Sequence, residues 1–209
     1  MKFVSLISSG IDSPVATYLL SKKADEIILV HADIRPLTDD KEIKNFIKLA
    51  KFLKKHISCS MKVYLVPHGD SLSVFKQNCK DRFTCVFCKR MLLRYAEKIA
   101  EKESADATIM GDSLGQVASQ TLQNICTIEQ AVNIPVLRPL IGLDKEDIVK
   151  IGKEIGTYDL SIALSDGCSA VPKKPATRTK LEHILEEEKK IDVRDLVKKA
   201  ISKSELISL

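Results

Sequence analysis

Tryptophan is absent from this chain of 209 residues, and aromatic residues make up only 5% of it. The core must therefore consist mostly of Ile, Leu, Val and Ala. Long apolar runs are absent as well, so no segment is able to span a membrane. The N-terminal run Phe3–Ile7 is also too short for the apolar region of a signal peptide. We therefore expect a cytoplasmic protein that has no membrane partner.

The excess of positive charge is small, because 33 Lys and Arg residues stand against 28 Asp and Glu residues. The resulting net charge of +5 permits contact with nucleic acid without demanding it. A solvated surface with a Lys excess is the simpler explanation. Apolar residues reach 44% and the charges are mixed, which argues against disorder. The length fits one domain, or one domain with a small helical appendage.

Short apolar runs alternate with segments of helical periodicity along most of the chain. The predicted strands are Lys2–Ile7, Glu26–His31, Met61–Val66, Ala107–Met110 and Pro135–Leu137. The predicted helices are Val15–Ser21, Asp40–Ile57, Cys88–Glu103, Leu122–Val132 and Lys145–Ile155, the last one stopped by Gly156. This order predicts an α/β fold with a doubly wound, mostly parallel five-stranded sheet and a short helical C-terminal appendage. We expect one domain over 1–180 and a helical extension over 181–209.

In such a sheet, ligands bind in the crevice at the carboxyl ends of the strands. The loops at that edge are 8–14, 31–38, 67–88, 111–120 and 138–145. The first of them reads SSGIDSP and joins a strand to a helix. Its small residues allow backbone N–H groups to surround an anion at a helix N-terminus.

Three side chains of this loop add to its anion-binding character. Ser8 and Ser13 supply hydroxyl donors, Asp12 is able to orient Mg²⁺, and Pro14 suits a first helical turn. A simple Ser or Asp helix cap is the alternative. The loop is not a Walker A motif, because the Lys and the spacing of that pattern are missing.

Six cysteines stand at positions 59, 79, 85, 88, 126 and 168. In the cytoplasm they are core thiols, metal ligands or redox groups rather than structural disulfides. Cys85 and Cys88 form a C-x₂-C pair, which is ambiguous among zinc, redox, cluster and packing roles. A closed zinc site needs four ligands, and only three plausible ones are present with Cys168. A three-Cys iron–sulfur site with one open iron fits better. We interpret Cys59 and Cys126 as core residues.

The first loop resembles the SGGxDS pyrophosphate loop of the PP-loop ATPases, with Ser9 where that family usually has Gly. A positive φ at Ser9 would strain the loop. Further segments resemble the tRNA uracil 4-sulfurtransferase family, also called 4-thiouridine synthetase or thiamine-biosynthesis sulfurtransferase. They read GDSLGQVASQTL from Gly111, CKRMLLR at 88–94, PLIGLDKEDI at 139–148, IGTYDLSI at 155–162 and GCSAVPKKPATR at 167–178. The similarity covers roughly residues 1–180, and it implies an adenine nucleotide alpha-hydrolase-like fold.

This resemblance implies an ATP-dependent enzyme that adenylates O4 of a tRNA uridine and replaces that oxygen with sulfur, giving 4-thiouridine. The implied ATP-binding residues are Leu6, Ile7, Ser8, Ser9, Gly10, Ile11, Asp12, Ser13, His31, Ala32, Lys89, Gly111 and Gln120. The implied catalytic residues are Asp12, Lys145 and Cys168. Cys85, Cys88 and Cys168 would hold an iron–sulfur cluster, of the [4Fe–4S] type, and Mg²⁺ would accompany ATP. Lys173, Lys174 and Arg178 are candidate RNA contacts.

The family usually carries an N-terminal RNA-binding THUMP region, and some members carry a rhodanese domain. Neither pattern stands in this sequence. We therefore expect tRNA to bind weakly to this chain alone, with a separate THUMP-type RNA-binding protein and a sulfide or persulfide donor as partners. A homodimer is an open alternative for the assembly. Two other functions remain open: sulfur delivery to thiamine thiazole or another small molecule, and a nucleotide-binding partner subunit without turnover.

Overall fold

Within residues 1–163 and 167–209, which the computed structural model describes, six strands form one sheet. The strands are β1 (Lys2–Leu6), β2 (Glu26–Asp33), β3 (Ser60–Pro67), β4 (Ala107–Ile109), β5 (Val136–Leu137) and β6 (Glu205–Leu206). The helices are α1 (Asp12–Ser21), α2 (Asp40–His56), α3 (Gly69–Asn78), α4 (Thr84–Glu103), α5 (Leu122–Glu129), α6 (Lys145–Ile155), α7 (Tyr158–Ser161), α8 (Leu181–Glu188) and α9 (Val193–Ser202).

The strand order is β5-β4-β1-β2-β3-β6. All neighbouring pairs are parallel except β3 with β6. The chain builds from β1 towards β3 and then crosses back to place β4 on the other side of β1. The reversal between β1 and β4 is the topological switch point where such sheets bind ligands. This confirms the predicted doubly wound, mostly parallel architecture.

Successive residues of the central strands pack into two apolar cores, one on each face of the sheet. Val4, Ile28 and Val30 face one core, which α3, α4, α8 and α9 cover. Phe3 and Ile27 face the other, which α1, α2 and α6 cover. Because both faces are covered, the strands read as continuous apolar runs rather than as an alternating pattern.

Helix boundaries follow from local residue choice where the signals are strong. Gly156 ends α6 with a φ of 83°, as the sequence predicts. A side chain is disfavoured at that φ, and a Cβ there would also lie 2.9 Å from the Phe52 ring. Thr121 caps α5 by accepting a hydrogen bond from the Asn124 backbone N–H.

Four sequence predictions need correction. The sheet has a sixth, antiparallel strand, which the C-terminal segment adds beside β3. The segment 67–88 was expected to be a loop, but it contains α3. The helix α4 begins at Thr84 rather than at Cys88, and α5 ends at Glu129 rather than at Val132. The missed helix α3 lies in a polar segment, where few apolar residues mark the helical period.

The C-terminal helices are fastened to α4 by a buried ion-pair cluster. The Arg90 side chain is 1% exposed and donates from Nε to Glu188 Oε1 at 2.8 Å. Arg94 also donates to both oxygens of Glu188, at 2.9 and 2.8 Å. Arg90 Nη1 donates further to the Thr127 carbonyl on α5. These contacts show how the helices pack and do not test a domain boundary. The domain boundary predicted near residue 180 therefore stays a prediction.

Among the described residues, no helix combines the length and apolar character that a bilayer-spanning segment needs.

Candidate functional site

A cavity of about 330 Å³ opens at the carboxyl ends of β1, β2 and β4, at the switch point of the sheet. It brings together twelve of the thirteen predicted nucleotide residues. They are Leu6, Ile7, Ser8, Gly10, Ile11, Asp12, Ser13, His31, Ala32, Lys89, Gly111 and Gln120. Ser9 lies beside the cavity and contacts its wall through Glu42, to which its hydroxyl donates at 2.6 Å. The roles of these residues stay predictions.

The loop between β1 and α1 is held by its own serines. The Ser8 backbone N–H donates to Ser13 Oγ at 2.9 Å, and the Gly10 N–H points to Ser8 Oγ at 3.3 Å. Within the described residues, Ser104 is the one non-glycine residue with a positive φ. Ser9 therefore causes none of the backbone strain that a serine in place of glycine would bring in a left-handed conformation.

Gly111 lets the loop after β4 approach the start of α1. A Cβ at this position would lie 2.7 Å from both Cα and N of Ser13, and 2.9 Å from the carbonyl carbon of Asp12. Real Cβ atoms do not come so close to backbone, so a side chain here would push the two loops apart. The φ of Gly111 is not positive, so a glycine is needed here because of the close contact and not because of an unusual backbone conformation.

Asp112 is a buried charged residue of the cavity wall to which the sequence assigned no role. Its side chain is 5% exposed and accepts from Lys89 Nζ at 2.5 Å and from Arg138 Nε at 3.3 Å. Burial opposes its ionisation, yet the charges of Lys89 and Arg138 hold the pKa of Asp112 below its ordinary value. It is therefore an anion that fixes the position of the Lys89 ammonium. Its place in the quoted GDSLGQ segment was a usable signal.

His31 closes one side of the cavity with a stacked ring. Its ring lies 4.0 Å from that of Phe46 at an angle of 7°, and Nδ1 is 2.9 Å from the Ile7 carbonyl. In the described part of the chain Nε2 has no hydrogen-bond partner although it is buried. Burial lowers the pKa of His31, so its imidazole is neutral. A buried polar atom of this kind at a cavity wall is a place for a ligand's hydrogen bond.

Asp12 and Lys145 form an ion pair at the rim of the cavity. Lys145 Nζ donates to Asp12 Oδ1 at 2.5 Å. Asp12 is the first residue of α1 and Lys145 the first of α6, and these two helices pack side by side. The structure therefore brings together both predicted catalytic side chains that flank the loop.

The C-x₂-C cysteines lie one turn apart at the start of α4, and Cys168 lies near them. Burial first, and then the neighbouring Cys168, raise the pKa of the Cys85 thiol. The same two causes, together with Cys85, raise the pKa of Cys88 to about 12. Of the three, Cys88 lines the cavity. Over the described ranges no three His, Cys, Asp or Glu side chains stand around a metal position, so a shared site of the three cysteines stays a prediction.

A hydrogen-bonded chain behind Cys88 was missed from the sequence. His68 Nε2 lies 3.3 Å from Cys88 Sγ, and His68 Nδ1 lies 3.1 Å from the Tyr95 hydroxyl. That hydroxyl lies 2.9 Å from Ser71 Oγ. His68 stands directly after β3, at the same edge as the other site residues, and it also lines the cavity.

The segment 167–179, which we call the strap, carries Cys168 and is anchored to the rest of the protein. Asn124 is its principal clasp: its Nδ2 donates to the carbonyls of Ala118 and Ala176, and its Oδ1 accepts from the Thr179 N–H. The Ala176 N–H donates to the Arg82 carbonyl at 2.9 Å. The start of the loop that carries Cys168, at 164–166, lies outside the described residues.

A second, open groove of about 570 Å³ lies along the strap. Two predicted RNA contacts, Lys173 and Lys174, line it together with Lys76 and Arg82. Arg178 is exposed but is not among its lining residues. The one acid in the lining is Asp81, which is 3.3 Å from Lys76 Nζ.

Two cysteines were interpreted as core residues from the sequence. Cys59 is half-buried and packs against the core under α1 and α2. Cys126 is exposed, so that interpretation was wrong. It stands on the outer face of α5, whose inner face is formed by Ile125 and Ile128.

With this geometry in place, comparison with known proteins is specific. The family described as "Thiamine biosynthesis protein (ThiI)" matches residues 1–193. A probable tRNA sulfurtransferase of Methanothermobacter thermautotrophicus is 43% identical over 197 residues, which are 94% of this chain and 51% of that protein. One from Methanocaldococcus jannaschii is 40% identical over 190 residues, 91% of this chain and 50% of its own. The chain thus spans about half the length of the curated relatives it matches.

Solved structures agree with the sequence relatives. A crystal structure of a 4-thiouridine synthetase–RNA complex with bound ATP superposes with a TM-score of 0.93 and 35% identity, over 99% of this chain and 55% of that one. An NMN synthetase from Francisella tularensis has the same fold, with a TM-score of 0.59 at 13% identity. A family match over residues 1–193, relatives of 40% and 43% identity and the superposition on the 4-thiouridine synthetase lead to one conclusion: the chain belongs to the ThiI family.

Proposed function

We propose that this chain is the catalytic part of an ATP-dependent tRNA sulfurtransferase, which adenylates O4 of a uridine and replaces that oxygen with sulfur. The observation that carries the proposal is the meeting of two sites at Cys88. This residue lines the cavity that holds the predicted nucleotide residues, and it lies beside Cys85 and Cys168. The names of its relatives support the same activity.

ATP would bind with its phosphates on the loop from Ser8 to Ser13. The N-terminus of α1 and the backbone N–H groups there favour an anion. The hydrophobic wall formed by Leu6, Ile7 and Ala32, with the unpaired His31 Nε2 among them, suits a purine that needs one side-chain hydrogen bond.

Adenylation is needed because a carbonyl oxygen is a poor leaving group. The uridine O4 would attack the α-phosphorus, and pyrophosphate would leave with the electron pair of the broken P–O bond. A sulfur nucleophile would then add to C4, and AMP would leave with the oxygen. Lys145 and Lys89 lie where they would stabilise charge on the leaving pyrophosphate, a type of contribution that often amounts to about 10²-fold or more in rate. Asp12 would orient the Mg²⁺ that accompanies the triphosphate.

Cys85, Cys88 and Cys168 fit an iron–sulfur cluster by the chemistry of their donors. All six cysteines of the chain are unbonded, and Cys168 lies close enough to Cys85 and Cys88 to help raise the pKa of both thiols. Burial disfavours a free thiolate at Cys88, whereas a bound metal would favour one. A [4Fe–4S] cluster held by three cysteines would supply an open iron site for sulfide. The thiols of this chain would hold that group next to the nucleotide cavity. The need for reduced thiols and a tRNA substrate both agree with a cytoplasmic enzyme.

The groove along the strap would take the RNA backbone. Lys76, Arg82, Lys173 and Lys174 place four cations against the single acid Asp81, and the groove begins at Ser169, next to Cys168. Contacts of this kind depend on phosphate charge, so binding to tRNA should weaken steeply with salt. A THUMP-bearing RNA-binding partner would supply the affinity that the groove lacks.

An anaerobic assay tests the function directly. The purified chain is incubated with unmodified tRNA, ATP, Mg²⁺ and sulfide, with and without a THUMP-bearing protein. Pyrophosphate release and the near-UV absorbance of 4-thiouridine are then measured. We expect pyrophosphate and 4-thiouridine to form together and at matching rates. No thiouridine under any of these conditions, from a chain that binds ATP, would refute tRNA as the acceptor.

Charge-matched variants test the groove. The measurement is tRNA binding at several salt concentrations. Lys173→Gln with Lys174→Gln should lower tRNA affinity and reduce the slope of log K against log salt by about 1 to 2. The control is Lys48→Gln with Lys51→Gln, two exposed lysines on α2. An equal effect of both double variants would assign the binding to net charge rather than to the groove.

A further inference from the structure

Four polar groups form a single file that ends on the sulfur of Cys88. They are Ser71, Tyr95, His68 and Cys88, joined by contacts of 2.9, 3.1 and 3.3 Å. His68 and Tyr95 are 0% exposed and Ser71 is 3% exposed. Nothing in the proposed chemistry uses the first three of these groups, yet buried polar side chains are costly unless they are satisfied.

When Cys88 is deprotonated, the hydrogens available on these four groups decide which group donates at each contact. A thiolate or metal-bound sulfur only accepts hydrogen bonds, so His68 must donate to it from Nε2. Neutral His68 then accepts at Nδ1, where the single hydrogen of the Tyr95 hydroxyl is placed to donate. The Ser71 hydroxyl in turn donates to the Tyr95 oxygen. Every group is satisfied by this one arrangement.

The imidazole is suited to this neutral donor role. The ring is fully buried between the Tyr95 hydroxyl and the Cys88 sulfur, and burial favours the uncharged imidazole, which carries a single N–H. Its tautomer is decided by its neighbours, as is usual for histidines next to metal-bound groups. At Cys88, the file provides a donor 3.3 Å from the sulfur.

We propose that His68 is a positioning residue for Cys88, donating a hydrogen bond from Nε2 to the sulfur whenever that sulfur is deprotonated, with Tyr95 and Ser71 fixing its tautomer. The use of this contact in sulfur transfer rests on the proposed function. The contact itself does not, and it is measurable in the protein free of metal and substrate.

The experiment follows alkylation of each cysteine in the reduced, metal-free full chain. Iodoacetamide is added at one fixed, mildly alkaline pH, and the rate at Cys88 is read by mass spectrometry. We expect His68→Leu to slow Cys88 about tenfold, because the reactive thiolate loses its charge-assisted hydrogen bond. His68→Gln, which keeps an N–H donor, should restore most of the rate. Tyr95→Phe should slow alkylation of Cys88 less than His68→Leu does, because the His68 imidazole remains but the Tyr95 hydroxyl no longer fixes its tautomer.

Internal controls separate the role from simple shielding or unfolding. The half-buried Cys59 and Cys79 are read in the same samples and should keep their rates, and the thermal midpoint is measured for each variant. Faster alkylation of Cys88 in His68→Leu, with Cys59 and Cys79 unchanged, would mean that His68 only covers the sulfur. An unchanged Cys88 rate would equally overturn the proposal. If His68→Leu fails to fold, Tyr95→Phe and His68→Gln decide by the same readout.

A second readout applies to the reconstituted protein. Removing a hydrogen bond to a cluster thiolate lowers the reduction potential, so His68→Leu should shift the potential down and His68→Gln should restore it. The two proposals can fail separately. If the variants change Cys88 alkylation as expected but the chain never thiolates tRNA, the proposed function is wrong and the His68 contact stands.

Discussion

Lys145 reaches Asp12 across the sheet edge, with Nζ 2.5 Å from Oδ1, although 133 positions separate the two residues in the chain. Both side chains are partly exposed, at 48% and 25%, so the pair contributes little to stability. Its position at the mouth of the loop that begins α1 points to phosphate chemistry instead. This relationship yields the first prediction.

Asp12→Asn should reduce pyrophosphate release by about 10²-fold, because it removes the carboxylate that would orient Mg²⁺. Lys145→Met should reduce it by a similar factor, because it removes a cation beside the negative charge that develops on the pyrophosphate. The thermal midpoint should stay within a few degrees. Lys150→Met, an exposed lysine on the same helix α6, is the matched control and should keep full activity. Activity within a factor of two in both site variants would remove the pair from the mechanism.

Gly111→Ala should weaken ATP binding, because its Cβ would collide with the backbone of Asp12 and Ser13 and displace the loop after β4. Isothermal titration with ATP measures the effect, which we expect to be at least tenfold in Kd. Gly142→Ala is the control, since a Cβ there meets nothing within 4 Å. Equal affinities in the two variants would contradict the close approach.

Glu188→Gln should destabilise the protein by about 3 kcal/mol, because it leaves the buried Arg90 guanidinium without its counter-ion. The free energy of unfolding is read from a denaturant titration. Glu186→Gln on the exposed side of the same helix should change it by less than about 0.5 kcal/mol. A similar small effect of both substitutions would show that Arg90 is satisfied without Glu188.

Two buried carboxylates, Glu188 in this cluster and Asp112 at the cavity, predict how stability changes with acid. Burial opposes ionisation, but the neighbouring cations hold the pKa of Glu188 and of Asp112 below their ordinary values in the folded protein. A lowered folded pKa contributes stability that is fully present above the unfolded value, about 4. That stability is lost as the pH falls through the folded values. Glu188→Gln should therefore flatten the fall of unfolding free energy below about pH 4, whereas a parallel curve would contradict this assignment.

The sequence was sufficient for the parts of the fold whose signals are local. The apolar runs of β1 to β4 and the stop at Gly156 depend on neighbouring residues alone, and the structure confirms them. Helix α3 was missed because Leu72 and Phe75 are its only large buried side chains in a polar segment. The edge strand β6 pairs through just two exposed residues, so no pattern in the sequence marks it.

The residues of the candidate site also divide into those that a local sequence pattern reveals and those that it does not. The anion loop and the C-x₂-C pair are contiguous motifs, so their residues could be named, and the sheet topology places them at one edge. His68, Glu42 and Arg138 contribute through partners far away in sequence, and no local pattern announces such a contact. His68 had one usable signal, since it follows Pro67 at the end of a predicted strand.

The Asn124 side chain constrains how the strap can move relative to the loop after β4. One amide group holds Ala118, in the segment that faces the nucleotide cavity, and also holds Ala176 and Thr179 on the strap. Separating these two segments would break either the hydrogen bond to Ala118 or the two hydrogen bonds to Ala176 and Thr179. We therefore expect the strap that carries Cys168 to shift together with the loop after β4.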